Sequence, residues 1–289
     1  MFALGWFLDR RSRLDLHTLV KLNIQLFVPA FMFVHVVKAD IAGGLAARVV
    51  GFTVCIIACM FVISAIVGRL AGYDRPQVRS LQLAAMFYNS GNYGIPLMTL
   101  AYPGLGPLLQ VFIILVQNVA CFTVGLFLAN SAQRPGWRAF LPALRQASLW
   151  AVLAALIIRG GNIPVQHWRW LWVPLEYFSD ALVGLALITL GAQLSKTEHR
   201  QPPGRIAWAL VLRLLGGPTL ACALVPLFHF EGETARIMIV SASFPTAVNT
   251  ALIAHEMRGD SQFAAAAVFY STLASMISVT LLVALMRFV

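Results

Sequence analysis

Two short polar stretches lie within otherwise apolar parts of the chain, and they contain the residues best suited to bind a ligand. The first, "FYNSGNYGIPLM", runs from Phe87 to Met98, and the second, "SFPTAVNT", occupies 243–250. Asparagine side chains donate and accept hydrogen bonds, whereas proline and glycine weaken a helix and expose its backbone. The start of an interrupted helix carries partial positive charge and free N–H groups. Together these features predict a site for an anion.

The predicted substrate-binding residues are Asn89, Asn92, Gly94, Pro96, Pro245, Thr246 and Asn249. The residues expected to support them are Gly91, Gln117, Asn118 and Ser241. A spacing of four residues would place Ser241, Pro245 and Asn249 on one helix face. For Gln117 and Asn118, bracing the first break by hydrogen bonds and contacting the substrate directly both stay open.

Two charged residues in apolar segments each have two interpretations. Asp180 is a candidate coupling site for a proton or another cation, as expected of an intramembrane carboxylate. It is alternatively an interfacial acid that faces outer water beside Glu176. Arg213 would either neutralise an anionic substrate or have a structural role, extending to the interface or pairing with backbone carbonyls.

The composition identifies the class of protein in which these residues lie. Of 289 residues, 60% are hydrophobic and 11% are charged, and the mean hydropathy is +0.80. Soluble domains have about a quarter of their residues charged. The composition therefore indicates a polytopic membrane protein, which we expect to be all-α and to lie in the cell (inner) membrane. The net charge of +10 is attributed to membrane orientation and not to binding of nucleic acid.

Apolar segments long enough to cross a bilayer are predicted at 17–37, 45–71, 78–101, 106–130, 141–161, 174–194, 205–229, 234–255 and 262–288. The preceding "MFALGWFL" is too short to cross, and we interpret it as the end of a truncated first helix. With that helix numbered 1, the two polar stretches interrupt predicted helices 4 (78–101) and 9 (234–255).

Positive charge alternates between the loops. One set of loops carries Arg10, Arg11, Arg13, Arg69, Arg75, Arg79, Arg134, Arg138, Arg145, Lys196, Arg200, Arg205 and Arg258, and the opposite set carries Lys38, Arg48, Arg159, Arg169 and Arg236. The richer set is expected to face the cytoplasm. The loop "NSAQRPGWRAFLP" divides the chain into a first repeat, 1–133, with helix 1 partial and helices 2–5, and a second repeat, 134–289, with helices 6–10. An odd number of spans in each half predicts inverted repeats with matching broken helices.

Five stretches match a known family: "NSGNYGIPL", "QNVACFTVG", "LITLGAQL", "RLLGGP" and "FPTAVNT". On the basis of these five stretches, the chain resembles the auxin efflux carriers. Its short central loop is similar to the loops of their bacterial members. The resemblance implies two inverted five-helix repeats with crossed broken helices 4 and 9, as in bile-acid symporters and sodium/proton antiporters. It implies elevator-type alternating access and a small organic anion, such as a carboxylate or dicarboxylate, as substrate.

The alternative functions are a membrane receptor or channel on the same fold and an intramembrane enzyme. The chain contains no GxSxG, HExxH or phosphate-binding GxxxxGK[ST] pattern, so we predict no catalytic residue, cofactor or metal. The expected partners are the small organic anion and the lipid bilayer, with a coupling proton and a second copy in a homodimer as further candidates.

Overall fold

A computed structural model describes residues 2–38, 43–125, 128, 147–195, 203–256 and 260–288. The helices before residue 130 are α1 (Phe2–Ser12), α2 (Leu16–Leu22), α3 (Val28–Lys38), α4 (Gly43–Leu70), α5 (Arg75–Met86), α6 (Ile95–Ala101) and α7 (Leu105–Ala120). Those after residue 146 are α8 (Ala147–Gly160), α9 (Arg169–Ser195), α10 (Pro203–Leu210), α11 (Gly217–Leu224), α12 (Gly232–Ala242), α13 (Val248–Glu256) and α14 (Ser261–Leu285). The predicted central linker lies outside the described residues.

Short helical turns of other types connect several of these helices. The π-helical turns are Asn23–Phe27, Ser90–Gly94, Cys121–Gly125 and Val211–Gly216, and the 3₁₀ turns are Val165–His167 and Pro226–Phe228. In the described part of the chain no β-strand forms, and one isolated antiparallel bridge joins Tyr88 to Thr246. The prediction of an all-helical protein is confirmed.

Five helical segments are long and apolar enough to cross a membrane: Leu16–Lys38, Gly44–Leu70, Arg169–Thr189, Gly204–Leu224 and Gln262–Leu285. Helices α7 and α8 are apolar but shorter over their described lengths. The protein is therefore a multi-pass membrane protein. The predicted spans 78–101 and 234–255 are each divided into shorter helices. Pro245 lies at the second interruption, whereas the first interruption precedes Gly91, Gly94 and Pro96.

The buried side chains form two hydrophobic clusters. The first, which we call the large cluster, contains side chains of α4, α5, α7 and α10–α14. The second, the small cluster, contains side chains of α3, α8 and α9. Ile95, Val111 and Ile114, from α6 and α7, belong to the small cluster. Helices α6 and α7 thus connect the two clusters.

Local sequence signals fix several helix ends around these clusters. Asp74 begins α5 with a capping box, in which its carboxylate accepts from the amide of Gln77 at 2.8 Å. Asp260 caps α14 in a similar way, accepting from the amide of Phe263 at 3.0 Å. Asp260 also forms a 2.9 Å ion pair with Arg205 of α10. The two caps fix the starts of α5 and α14, and the ion pair joins α10 to the start of α14.

Candidate functional site

The two helix breaks lie side by side. Helix α5 ends at Met86 and helical structure resumes at Ser90, while α12 ends at Ala242 and α13 begins at Val248. Between them, the amide of Asn89 donates to the carbonyl oxygen of Pro245 at 2.8 Å, and the amide of Ala247 donates to the carbonyl oxygen of Phe87 at 2.9 Å. Each break therefore satisfies backbone groups of the other, which removes part of the cost of unwinding a helix in an apolar surrounding.

Thr246 links the second break to α5 and α14 by hydrogen bonds. Its hydroxyl donates to the carbonyl oxygen of Ala84 at 2.9 Å, and its amide donates to the hydroxyl of Ser271 on α14 at 3.0 Å. The residue is completely buried. Thr246 is therefore placed at the break as predicted, with a hydroxyl already bonded to the protein.

Gln110 of α7 connects the first break to α12. Its side-chain amide donates to the carbonyl oxygen of Ser90 at 3.1 Å, and its side-chain oxygen accepts from the hydroxyl of Ser241, also at 3.1 Å. Two turns further along α7, the side-chain oxygen of Gln117 accepts from the amide of Tyr88 at 3.4 Å. Gln110 and Gln117 thus both contact the backbone of the first break, and direct contact of Gln117 with the substrate stays the alternative prediction.

Arg213 lies between the ends of α5 and α12 and is completely buried. One terminal nitrogen donates to the carbonyl oxygen of Ala85 and the other to that of Ala242. The guanidinium carbon lies 4.9 Å from the centre of the Tyr88 ring. The last carbonyls of a helix have no partner within it, so Arg213 caps both helices at once. Of its two interpretations, the structure favours pairing with backbone carbonyls.

Close packing against Arg213 requires glycine at position 217. A Cβ there would clash with the carbonyl oxygen of Ala242 and with the Arg213 side chain itself. This explains the second glycine in "RLLGGP", because it leaves the space that the guanidinium occupies.

A cavity of about 40 Å³ opens beside the two breaks. It is lined by Val28, Phe87, Tyr88, Asn89, Ser90, Gly91, Asn92, Ile114, Gln117, Asn118, Cys121, Ala247, Val248 and Asn249. A buried water needs roughly 10–15 Å³, so the cavity has room for a few water molecules or a small polar group. Val28 belongs to the small cluster and Phe87 to the large one, which places the cavity where the two clusters meet.

Two side-chain amides at this cavity have hydrogen-bond donors without a partner. The side-chain nitrogens of Asn89 and Gln117 are buried and make no hydrogen bond, and the two residues are only 5% and 4% exposed. A buried donor without a partner costs about 1–3 kcal/mol. A ligand that accepts hydrogen bonds would recover this cost.

Two helix starts also face the cavity. The helical segment 90–101, which combines the turn Ser90–Gly94 with α6, begins at the lining residues Ser90, Gly91 and Asn92. Helix α13 begins at the lining residues Val248 and Asn249. The first amides of a helix lack partners within it and carry partial positive charge. The cavity therefore collects donors and positive potential from both breaks.

The structure brings together six of the predicted site residues at the cavity: Asn89, Gly91, Asn92, Gln117, Asn118 and Asn249. The other predicted residues of the breaks, Gly94, Pro96, Pro245, Thr246 and Ser241, lie outside its lining. Asp180 is exposed on α9 and also lies outside the lining. Within the described residues, no group of three His, Cys, Asp or Glu side chains could hold a metal ion.

One geometric expectation was wrong. Ser241, Pro245 and Asn249 do not share a helix face, because the chain is not helical between α12 and α13. Ser241 donates to Gln110, whereas Asn249 lines the cavity. A spacing of four residues defines a common face only where helical geometry is continuous.

Sequence reasoning missed Gln110. A signal was present, because Gln110 and Gln117 are seven residues apart in an otherwise apolar helix and therefore lie on nearly the same side. Buried polar side chains in an apolar helix need partners. This spacing could have indicated that both glutamines face the interrupted helix.

The chain matches a family model and a protein of known sequence. The family model described as "Membrane transport protein" matches residues 1–136 and 138–283. A protein of Methanothermobacter thermautotrophicus (strain Delta H) described as an uncharacterized transporter is 26% identical over 269 residues, which cover 92% of this chain and 88% of that protein.

Proposed function

Because the chain belongs to the membrane transport protein family, the auxin efflux carrier-like family that its motifs predicted, we propose that it is a secondary transporter of a small organic anion such as a carboxylate. The observation that carries this proposal is the cavity at the two breaks, where Asn89 and Gln117 hold unpartnered donors. Carboxylate oxygens accept hydrogen bonds and carry the charge that helix starts favour.

The proposed architecture is a pair of inverted five-helix repeats whose broken helices, α5–α6 and α12–α13, cross at mid-membrane. The antiparallel bridge between Tyr88 and Thr246 supports the crossing. The alternation of positive charge between loops supports opposite insertion of the halves. The boundary between the repeats is proposed at 133/134.

The proposed mechanism is elevator-type alternating access. Two hydrophobic clusters, which are in contact through α6 and α7, support it, because a moving body and a fixed scaffold each need a core of their own. The large cluster contains Phe87 and Tyr88 of the first break and Phe244 and Ala247 of the second, and it would move with the substrate. The small cluster would form the fixed scaffold, and Val28 would be its contact with the bound substrate.

A channel on the same fold is the alternative, and one observation disfavours it. A channel needs a continuous polar path, but the first break is tightly packed at Gly94. A Cβ there would lie 2.6 Å from a ring carbon of Phe244 and 2.8 Å from the side-chain nitrogen of Gln110. The ring centres of Phe244 and Tyr93 are 5.5 Å apart, which fills the space next to this position.

The proposed function is tested with the purified protein in two steps. A thermal-shift screen against carboxylates should reveal a ligand, since a ligand at a hundred times its Kd stabilises the folded state by about 2.7 kcal/mol. Proteoliposomes should then show saturable uptake of that ligand and counter-transport. Conductance without saturation would favour the channel, and conversion of the ligand to a product would favour an enzyme.

Coupling of transport to a proton at Asp180 is a separate proposal, with an interfacial acid as its alternative. If Asp180 binds the driving proton, Asp180→Asn should abolish uptake driven by a pH gradient and retain substrate exchange. An unchanged pH dependence would assign Asp180 to the interface.

A further inference from the structure

Arg213 places a full positive charge inside the part of the protein that is proposed to move. The residue is completely buried, and its terminal nitrogens donate to carbonyl oxygens of Ala85 and Ala242, which both belong to the large cluster. Arginine stays protonated in proteins. Among the described residues no carboxylate forms an ion pair with Arg213. The large cluster therefore carries one buried positive charge without a counter-ion from these residues.

The helix ends that Arg213 caps stabilise its charge but do not remove it when the body moves. The C-terminus of a helix is equivalent to roughly −0.5 elementary charge and its N-terminus to roughly +0.5. The two ends of one helix cancel, so a helix that moves as a whole carries no net charge through the membrane. The guanidinium has no opposite end of this kind. The charge that moves is therefore that of Arg213.

The charges on the helices around Arg213 lie close to helix starts instead. In α5, α10 and α12 the charged residues all fall within the first five positions: Arg75, Arg79, Arg205, Glu233 and Arg236. Arg213 lies eight residues after Arg205, which corresponds to about 12 Å along a helix. The hydrocarbon core of a bilayer is about 30 Å thick. Arg213 is thus well inside the region across which the membrane potential falls.

A second buried charge, that of Asp9, belongs to the part that is proposed to stay fixed. Asp9 lies in α1 and is buried. Its carboxylate accepts a hydrogen bond from the hydroxyl of Ser195 at the end of α9, and α9 contributes side chains to the small cluster. Since the small cluster is the proposed scaffold, Asp9 does not travel with Arg213 and does not offset its movement.

We infer that the membrane potential acts on the empty carrier through Arg213. This inference rests on the proposed function, because it requires the large cluster to move across the membrane. A potential that is negative inside draws the positive charge, and with it the empty site, toward the cytoplasm. A bound anion with one negative charge cancels the charge of Arg213, so that loaded carrier moves without net charge. For such an anion, the return of the empty carrier is the voltage-dependent step of the cycle.

The test follows the empty carrier and needs no substrate. Val248 lines the cavity at the start of α13 and is half-buried, so Val248→Cys, in a full chain whose four native cysteines are replaced by alanine, reports the exposure of the site. Right-side-out membrane vesicles receive an interior negative potential from valinomycin and a potassium gradient. Impermeant anionic and cationic methanethiosulfonate reagents are added outside, and inside-out vesicles are labelled in parallel.

Labelling from outside should slow as the interior becomes more negative. A single charge that crosses the whole membrane shifts an equilibrium by about 50-fold per 100 mV, and one that crosses half of it by about sevenfold. We therefore expect about sevenfold slower labelling per 100 mV if Arg213 crosses half of the membrane. The slowing should be the same for both reagents, because an effect of the potential on the reagent itself would have opposite signs for the two charges.

Two variants identify Arg213 as the charge that moves. Arg213→Lys keeps the charge and should retain the voltage dependence, whereas folded Arg213→Met should lose it. Voltage dependence that persists in folded Arg213→Met would overturn the inference. If Arg213→Met does not fold, the reporter chain with Arg213 still decides. Labelling from both sides at rates that do not change with potential would overturn the inference and leave the proposed function intact. Labelling from one side only at every potential would contradict alternating access and overturn both.

Discussion

The amide of Asn89 donates a 2.8 Å hydrogen bond to the carbonyl oxygen of Pro245. Proline cannot continue a helix because it lacks an N–H and its ring displaces the preceding turn. Pro245 thus lies in the non-helical segment between α12 and α13. Its carbonyl oxygen accepts the hydrogen bond from Asn89 of the first break. One residue of each break thus joins the two interrupted helices, so a disturbance of either break should be felt at the other.

The first prediction concerns the side chain of Asn89. Asn89→Ala should lower the affinity for the transported anion by about 5- to 150-fold, because a donor worth about 1–3 kcal/mol is removed. Folding should be retained, since the side-chain nitrogen of Asn89 has no protein partner to lose. Calorimetry and thermal unfolding in the same detergent measure the two effects.

The control for Asn89 is Asn162, which lies outside the cavity. Asn162 has a positive φ of 50°, so glycine is the substitution that avoids backbone strain there. Asn162→Gly should leave the affinity unchanged. Native affinity in folded Asn89→Ala would show that this side chain does not contact the substrate.

The second prediction compares two glycines of the first break. A Cβ at Gly91 meets nothing within 4 Å, whereas at Gly94 it would meet Phe244 and Gln110. Gly94→Ala should therefore destabilise the protein by about 1–3 kcal/mol through overpacking. Gly91→Ala should fold normally and, because Gly91 lines the cavity, should mainly reduce affinity or uptake. The reverse pattern in unfolding and transport measurements would refute this description of the break.

The third prediction concerns Arg213. Arg213→Met should leave the carbonyls of Ala85 and Ala242 without a partner and the two helix ends without a counter-charge. We expect a loss of about 3 kcal/mol or more in the free energy of unfolding, since hydrogen bonds to charged groups contribute about 1.5–3 kcal/mol each. Arg213→Lys keeps the charge but not the two-pronged donor, so it should recover part of the loss.

Arg69 provides the matched control for Arg213. It lies in the last turn of α4 and is exposed, so Arg69→Met should change stability by no more than about 0.5 kcal/mol. Equal unfolding temperatures for Arg213→Met and Arg69→Met would contradict a capping role for Arg213.

The fourth prediction concerns the hydrogen bond between Ser241 and Gln110. Ser241→Ala and Gln110→Leu should each destabilise the protein, and Gln110→Leu should cost more because the carbonyl of Ser90 also loses its partner. The double variant should cost less than the sum of the single variants, with a coupling energy of about 0.5–3 kcal/mol. Denaturation of all four proteins measures this energy, and strict additivity would show that the hydrogen bond does not contribute.

Much of the fold follows from the sequence because its signals are local. The length and apolar content of each segment determine whether it can cross a bilayer, and the helices lie close to the predicted spans. Helical structure stops at 87–89 and at 243–247, within the polar stretches 87–98 and 243–250. Pro245 lies at the second interruption, whereas Gly91, Gly94 and Pro96 follow the first one and lie in helical structure. The family was also predicted from short motifs and is confirmed.

What the sequence did not determine is which side of each break meets which partner. Gly91 and Gly94 are equivalent in pattern, but one faces open space and the other meets Phe244. Arg213 had two interpretations, and only the approach of α5 and α12 from distant parts of the chain brought two carbonyls within its reach. Within an interrupted helix, periodicity no longer gives the direction of a side chain. The direction is then decided by packing and by the need to pair each buried polar group, and both depend on the tertiary structure.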